Sequence, residues 1–128
     1  MNNSGTFDDM KRITDIEIIV KTRKIVSLKV SEEMFEWIEE VWKASGFSSR
    51  SDYLRALVAS ILEKPYLVHQ ANGEILPIKA EKTITFKLDS NLLQQLDELA
   101  VKKGYSTRSD LIRELIFSIM KSNNSTLP

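Results

Sequence analysis

The sequence contains no cysteine and a single histidine, His69. These absences exclude a disulfide framework, a thiolate metal site and a histidine cluster within one chain. No run of about 18 apolar residues, which a membrane-spanning helix requires, is present. The N-terminus also has no basic patch followed by an apolar segment. We therefore expect a cytoplasmic protein with no cofactor, no bound metal and no membrane partner.

A net charge of either sign is also lacking, because 18 basic and 18 acidic residues balance. Proteins that bind nucleic acid are commonly basic, so the overall charge argues against that function. The charges are unevenly distributed, however. Five glutamates lie within residues 32–40, whereas residues 82–121 carry seven basic and five acidic residues. Such a chain can still present one positive face.

The most prominent feature of the sequence is an internal repeat. Residues 24–62 align with residues 82–120 at a constant offset of 58 positions without a gap, and 12 of the 39 aligned positions are identical. The identities cluster in Gly46–Arg55 (GFSSRSDYLR) and Gly104–Arg113 (GYSTRSDLIR). A unit of about 40 residues rarely folds alone without disulfides, metal or a partner. We therefore expect the two halves to share one core.

Each half predicts a strand followed by a helix. Ile25–Val30 and Thr83–Leu88 alternate between apolar and polar residues, which is typical of half-buried strands. A residue suited to an N-cap, Ser31 or Asp89, comes next, and apolar residues then recur three and four positions apart.

A glycine turn and a second helix complete each half. Gly46 and Gly104 fall where a helix C-terminus needs a left-handed residue. The following Ser49–Asp52 and Thr107–Asp110 are similar to a capping box with aspartate in place of glutamate.

This order of elements, with the doubled Gly-aromatic-Ser-[Ser/Thr]-Arg-Ser-Asp signature, resembles the ribbon-helix-helix family of DNA-binding proteins, the Arc, MetJ and CopG superfamily. The resemblance covers about 78 of the 128 residues. It implies an α+β fold in which the strands of two halves pair into one antiparallel ribbon that enters the DNA major groove. The chain is similar to single-chain tandem forms among regulators of conjugative plasmids and archaeal viruses, which would place a viral protein in the host cytoplasm.

The predicted organisation has five parts: an N-terminal arm at 1–22, a first ribbon-helix-helix repeat at 23–62, a linker at 63–81, a second repeat at 82–121, and a flexible tail at 122–128. Ile13–Val20 in the arm alternates and predicts a short strand. The linker predicts a small hairpin, with strands at Tyr66–Gln70 and Ile75–Ile78 about an Asn72-Gly73 turn. Pairing of the repeats within one chain is favoured over a swapped dimer, because a tether raises the local concentration to roughly millimolar.

The resemblance assigns the outward side chains of the two strands to base reading. Lysine can donate to guanine O6 and N7, hydroxyls can donate or accept, and a methyl group can contact the thymine methyl. The alternative is a solvated sheet face, and the family signature favours base reading. Ile25 is the exception among polar neighbours, and it could instead pack on the N-terminal arm. The six candidates are Ile25, Ser27, Lys29, Thr83, Thr85 and Lys87.

The start of the second helix in each half is the predicted phosphate site. Its unpaired amides and the positive end of the helix dipole favour an anion. Arg50 and Arg108 are the strongest candidates, because the neighbouring hydroxyls at positions 49 and 107 are expected mainly to cap the helix. The full set is Ser48, Ser49, Arg50, Ser106, Thr107 and Arg108.

Two further arginines, Arg55 and Arg113, also match the family pattern. Each lies three positions after an aspartate, Asp52 or Asp110, and this spacing on a helix favours an ion pair. We expect these arginines to pair within the helix.

The sequence thus predicts a sequence-specific regulator of transcription that binds double-stranded DNA, and a repressor because no activation surface is visible. Because the repeats differ, the operator is expected not to be a clean inverted repeat. An enzyme is not expected, since no nucleophile–histidine motif, phosphate-binding glycine loop or cofactor signature is present.

Two alternatives concern protein partners. The first is an antitoxin of the same fold that binds a toxin; such proteins usually append a partner-binding tail, and here only the N-terminal arm offers one. The second is a homodimer or higher oligomer on DNA. Trp37 and Trp42, which the second repeat replaces with Gln95 and Ala100, add apolar surface that the arm, the linker or a second copy would cover.

Overall fold

The computed structural model describes residues 22–72 and 79–126, with side chains up to residue 122 in the last helix. The elements in chain order are β1 (Arg23–Val30), α1 (Glu32–Ala44), α2 (Arg50–Glu63), β2 (Lys82–Asp89), α3 (Ser90–Lys102) and α4 (Arg108–Thr126), with a 3₁₀ turn at Pro65–Leu67 after α2. This is an α+β arrangement of one two-stranded sheet and four helices, as predicted.

β1 and β2 pair antiparallel along their whole length, with Ser27 opposite Thr85. These two residues are 58 positions apart, the offset of the repeat, so a pseudo-twofold axis passes between them. Over residues 25–30 and 83–88, buried and exposed residues alternate, so one face of the ribbon is buried and the other is exposed. The buried face consists of Val26, Leu28 and Val30 from β1 and Ile84, Phe86 and Leu88 from β2.

The helices cover the buried face in a crossed arrangement. α2 contacts β2 and α3, whereas α4 contacts β1 and α1. Each second helix therefore lies on the strand and the first helix of the other half. The buried residues of both halves form one hydrophobic core. Neither half can be removed without exposing the apolar face of the other.

The predicted helix ends are confirmed. The Ser31 side chain accepts a hydrogen bond from the Met34 amide at the start of α1, and the Asp89 side chain accepts one from the Asn91 amide at the start of α3. After these helices, Gly46 and Gly104 have φ angles of +83° and +84°. A side chain at either position would be strained, which explains why the same residue follows both helices.

The predicted linker strand at Tyr66–Gln70 is wrong. The chain forms the 3₁₀ turn at Pro65–Leu67 instead, and no strand follows it up to residue 72. The proline ring presets a helical φ at the first position of this turn. The second predicted strand, Ile75–Ile78, and Gly73 of the turn lie outside the described residues.

The linker is hydrogen-bonded to the turn between α3 and α4. The Ala71 amide donates to the Lys103 carbonyl at 2.7 Å, and the Tyr105 hydroxyl donates to the His69 carbonyl at 2.9 Å. Val68 is buried at 2% exposure beside these bonds. The backbone groups that a hairpin would use are therefore taken up by the second half.

The predicted flexible tail begins too early. α4 continues to Thr126, five residues past the predicted end of the second repeat at 121. No glycine or proline occurs between Lys121 and Thr126 to end the helix earlier. The predicted arm at residues 1–21, including the strand at Ile13–Val20, lies outside the described residues.

Within the described ranges, no helix is long and apolar enough to cross a membrane. The same part of the chain holds no group of three or more His, Cys, Asp or Glu side chains arranged to bind a metal ion.

The buried ribbon face predicts a strong effect of core truncation. Leu28 lies opposite Ile84, and both are at most 1% exposed. Leu28→Ala should lower the free energy of unfolding by about 2–5 kcal/mol, through lost burial and the cavity left behind. The exposed neighbour Ser27 supplies the control, since Ser27→Ala should change the free energy of unfolding by no more than about 0.5 kcal/mol. Urea denaturation followed by circular dichroism would show one cooperative transition; similar losses for the two variants would contradict this account of the core.

Candidate nucleic-acid interface

All six predicted base-reading side chains lie on the exposed face of the ribbon. They form three cross-strand pairs: Ile25 with Lys87, Ser27 with Thr85, and Lys29 with Thr83. The predicted outward orientation is thus confirmed. Ile25 is 65% exposed, so its apolar side chain is available on this face.

The ribbon is strongly basic although the chain is neutral. Its only acidic residue is Asp89, at the end of β2. Exposed glutamates are concentrated on α1 instead. The ribbon is therefore positive, with Arg23, Lys29 and Lys87 in the register of the outward face and Lys24 and Lys82 at the strand ends in the register of the buried face. Its basic residues, all exposed, are Arg23, Lys24, Lys29, Lys82 and Lys87.

The first turns of α2 and α4 have the same construction. The Ser49 hydroxyl accepts from the Asp52 amide at 3.1 Å, and the Thr107 hydroxyl accepts from the Asp110 amide at 3.1 Å. The capping expected of these two residues is confirmed. In each of these helices, the backbone amides of the first two residues have no acceptor within the described part of the chain. Ser48 and Ser106 lie exposed just before them.

Arg50 and Arg108 are each paired with a carboxylate of the preceding helix. Arg50 Nε contacts Glu39 Oε2 at 2.7 Å. Arg108 binds Asp97 through two bonds, from Nε at 2.7 Å and from Nη2 at 2.8 Å. The sequence reasoning missed these pairs, although Glu39 and Asp97 are themselves 58 positions apart. The arginine side chains remain 33% and 35% exposed, which leaves other guanidinium donors accessible.

These ion pairs shift the pKa values of the carboxyls. The hydrogen bond from Arg50 lowers the pKa of Glu39, and the hydrogen bonds from Arg108 lower the pKa of Asp97. Glu39 also accepts from Trp42 Nε1 at 3.0 Å, and the Arg50 guanidinium lies 5.0 Å from the centre of the Phe35 ring. The two arginines are therefore held in place and charged at the ends of the ribbon face. One open groove is lined by both Ile25 and Arg108, so base-reading and phosphate candidates share a continuous surface.

The predicted intrahelical partners of Arg55 and Arg113 are confirmed. Arg55 Nη2 contacts Asp52 Oδ1 at 2.7 Å, and Arg113 contacts Asp110 at 2.5 Å. Each aspartate carboxylate thus binds an arginine of its own helix, while the aspartate backbone amide donates to the capping hydroxyl. Each arginine also donates to a carbonyl of the ribbon, which the sequence reasoning did not predict.

The bidentate ion pair between Arg108 and Asp97 should be detectable in a pH titration. Because Arg108 lowers the pKa of Asp97 in the folded state, the stabilisation by this pair is present above the unfolded value of about 3.9 and is lost as the pH falls through the folded value. A carboxyl-detected NMR titration should give Asp97 a midpoint below that value. In Arg108→Gln the midpoint should return toward it. An ordinary midpoint in the unaltered protein would show that the pair does not persist in solution.

Comparison with known proteins supports the same architecture. Residues 82–116 match the family described as ribbon-helix-helix protein, copG family. The comparisons with curated proteins and with solved structures give no significant match. The matched segment begins at the first residue of β2, includes α3 and ends within α4. The second strand and its two helices therefore match a ribbon-helix-helix unit, and their strand pairs with that of a first half built from the same elements.

Proposed function

We propose that this protein binds double-stranded DNA sequence-specifically through its ribbon and acts as a transcriptional repressor. Proteins of the matched family are generally DNA-binding transcription regulators or antitoxins, and the ribbon-helix-helix fold is non-enzymatic. The observation that carries the proposal is the exposed ribbon face, where donors, acceptors and methyl groups stand in three cross-strand pairs. A two-stranded ribbon of this kind fits the major groove, and these groups match the chemistry of base edges.

The helix starts would hold the DNA backbone on either side of that ribbon. The unbonded amides of α2 and α4, with the exposed hydroxyls of Ser48 and Ser106, form two anion-binding turns. Arg50 and Arg108 would supply the charge. On binding, a phosphate oxygen would take guanidinium donors that Glu39 and Asp97 do not use, so the carboxylates would orient the arginines while reducing their net attraction for DNA.

The antitoxin alternative differs from this proposal in its partner. It requires a tight stoichiometric complex with a second protein. Affinity purification of the tagged protein co-expressed with its neighbouring genes would test this, since a repressor acting alone should be recovered without an equimolar partner.

Selection from random duplex DNA tests the proposed function. The unaltered chain should enrich one motif, and a variant with Lys29→Ala and Lys87→Ala should lose it, because each lysine contact contributes about 1–3 kcal/mol of base discrimination. The salt dependence of the remaining binding should fall only modestly, since the phosphate contacts persist.

A second pair of lysines provides the matched control. Lys64 and Lys102 are exposed and lie off the ribbon, so Lys64→Ala with Lys102→Ala removes the same charge without touching the reading face. This variant should keep the motif. No enrichment by the unaltered chain, with weak binding that salt abolishes, would refute sequence-specific recognition.

The differences between the two repeats predict the symmetry of the DNA site. The outward residues differ between the halves at only two equivalent positions, Ile25 against Thr83 and Ser27 against Thr85. The unaltered chain should therefore select a site whose halves are not identical. Combining Ile25→Thr with Ser27→Thr makes the six side chains symmetric, and the selected site should shift toward an inverted repeat. A perfect palindrome selected by the unaltered chain would contradict the prediction.

A further inference from the structure

Two arginines reach across the molecule to the strand of the other half. Arg55 on α2 donates from Nη1 to the Lys87 carbonyl of β2 at 3.0 Å. Arg113 on α4 donates from Nη1 to the Lys29 carbonyl of β1 at 3.2 Å. Both arginines and both lysines are 58 positions apart, so the same contact is made once on each side of the pseudo-twofold axis.

Each of these guanidiniums is fixed by a second partner. The other terminal nitrogen binds Asp52 or Asp110 in the first turn of the same helix. The amide of that aspartate in turn donates to the capping hydroxyl of Ser49 or Thr107. A continuous chain of bonds therefore runs from each anion-binding turn to the opposite strand.

The two carbonyls lie at the outer edges of the ribbon. The register continues to Thr22 and Ser90, which form a hydrogen-bonded pair because the Thr22 carbonyl accepts from the Ser90 amide at 3.0 Å. Hydrogen-bonded and non-hydrogen-bonded pairs alternate along an antiparallel ladder. Counting from that pair, the three outward pairs occupy non-hydrogen-bonded positions. Residues there direct their carbonyls away from the partner strand. Without the arginines, the carbonyls of Lys29 and Lys87 would have no protein donor among the contacts described.

We infer that Arg55 and Arg113 are positioning residues that fix the backbone beneath Lys87 and Lys29 and so set the angle at which these lysines enter the groove. The inference rests on the proposed function. A lysine side chain has four rotatable bonds, so the direction of its Cα–Cβ bond, set by the anchored peptide, limits which base it reaches. The anchoring is crossed: the second half orients the reading lysine of the first half, and the first half orients that of the second.

This crossing makes the effect specific to one base position. Arg113→Gln should relax the base preference at the position read by Lys29 by about tenfold, as expected for one lysine contact, while the position read by Lys87 keeps its preference. Arg55→Gln should give the mirror result. Single variants Lys29→Ala and Lys87→Ala identify which position each lysine reads.

Selection from random duplex DNA should be compared for the unaltered chain, for the two arginine-to-glutamine variants, for the two lysine-to-alanine variants and for Arg113→Lys. The last variant keeps the positive charge but lacks the planar fork that joins the carbonyl to Asp110, so it should relax the same position as Arg113→Gln. Thermal unfolding confirms that each variant is folded. Equal loss of affinity for every sequence, relaxation at both positions, or full recovery of preference in Arg113→Lys would overturn the positioning role.

A measurement without DNA separates failure of the inference from failure of the proposed function. The Val30 amide shares a peptide bond with the Lys29 carbonyl, and the Leu88 amide with the Lys87 carbonyl. In ¹⁵N spectra of the free protein, Arg113→Gln should shift Val30 and leave Leu88 in place, and Arg55→Gln should do the reverse. These shifts without any selected motif would refute DNA recognition while confirming the anchors; unchanged amides would refute the anchors themselves.

Discussion

The antiparallel pairing of β1 with β2 is the interaction on which the rest of the structure depends. It joins segments 58 positions apart in one register, with Ser27 facing Thr85 at the centre. A two-stranded ribbon is only marginally stable by itself, so its persistence requires the helices packed on its apolar face. Because α2 lies on β2 and α4 lies on β1, the helices can cover that face only when the strands are paired. Pairing and packing therefore stabilise each other.

The same register divides the two roles of the ribbon. Side chains alternate between faces, so fixing one face in the core also fixes which residues meet solvent. A slip of one residue would bury Lys29 and Thr85 and expose Leu28 and Phe86, at a prohibitive cost in apolar burial. The packing of the core thus determines which side chains are exposed on the outer face of the ribbon. Those groups need no stabilising role of their own, which leaves them free to differ between the halves.

The distribution of charge explains how a neutral chain can carry the basic surface that the proposed DNA binding requires. The ribbon concentrates basic residues, whereas exposed glutamates lie on α1. The two arginines at the helix starts are each paired with a carboxylate, and the pairs lower the pKa values of Glu39 and Asp97. Such pairs at partly exposed positions contribute little to stability. Their larger effect is to hold each guanidinium beside the first turn of a helix, where the proposed function places a DNA phosphate.

The amino-acid sequence by itself determined the features that depend on neighbours within a few positions. Alternation at Ile25–Val30 predicted the strand and its outward face, the glycines at 46 and 104 predicted the left-handed turns, and the spacing of Asp52 and Arg55 predicted an ion pair. Each of these is confirmed, because period-two patterns, caps and i,i+3 pairs are set by local backbone geometry.

Tertiary structure alone decided which distant groups meet. The bonds of Arg55 and Arg113 to ribbon carbonyls, and the fastening of the linker to the α3–α4 turn, join residues 32 or more positions apart. The linker was predicted wrongly as a strand because its backbone groups find partners in the second half, which no local pattern reveals. Contacts of this kind follow from how the two halves cross over each other. The sequence therefore determined the elements of each half, and the packing of the halves determined which arginine of one half bonds to the strand of the other.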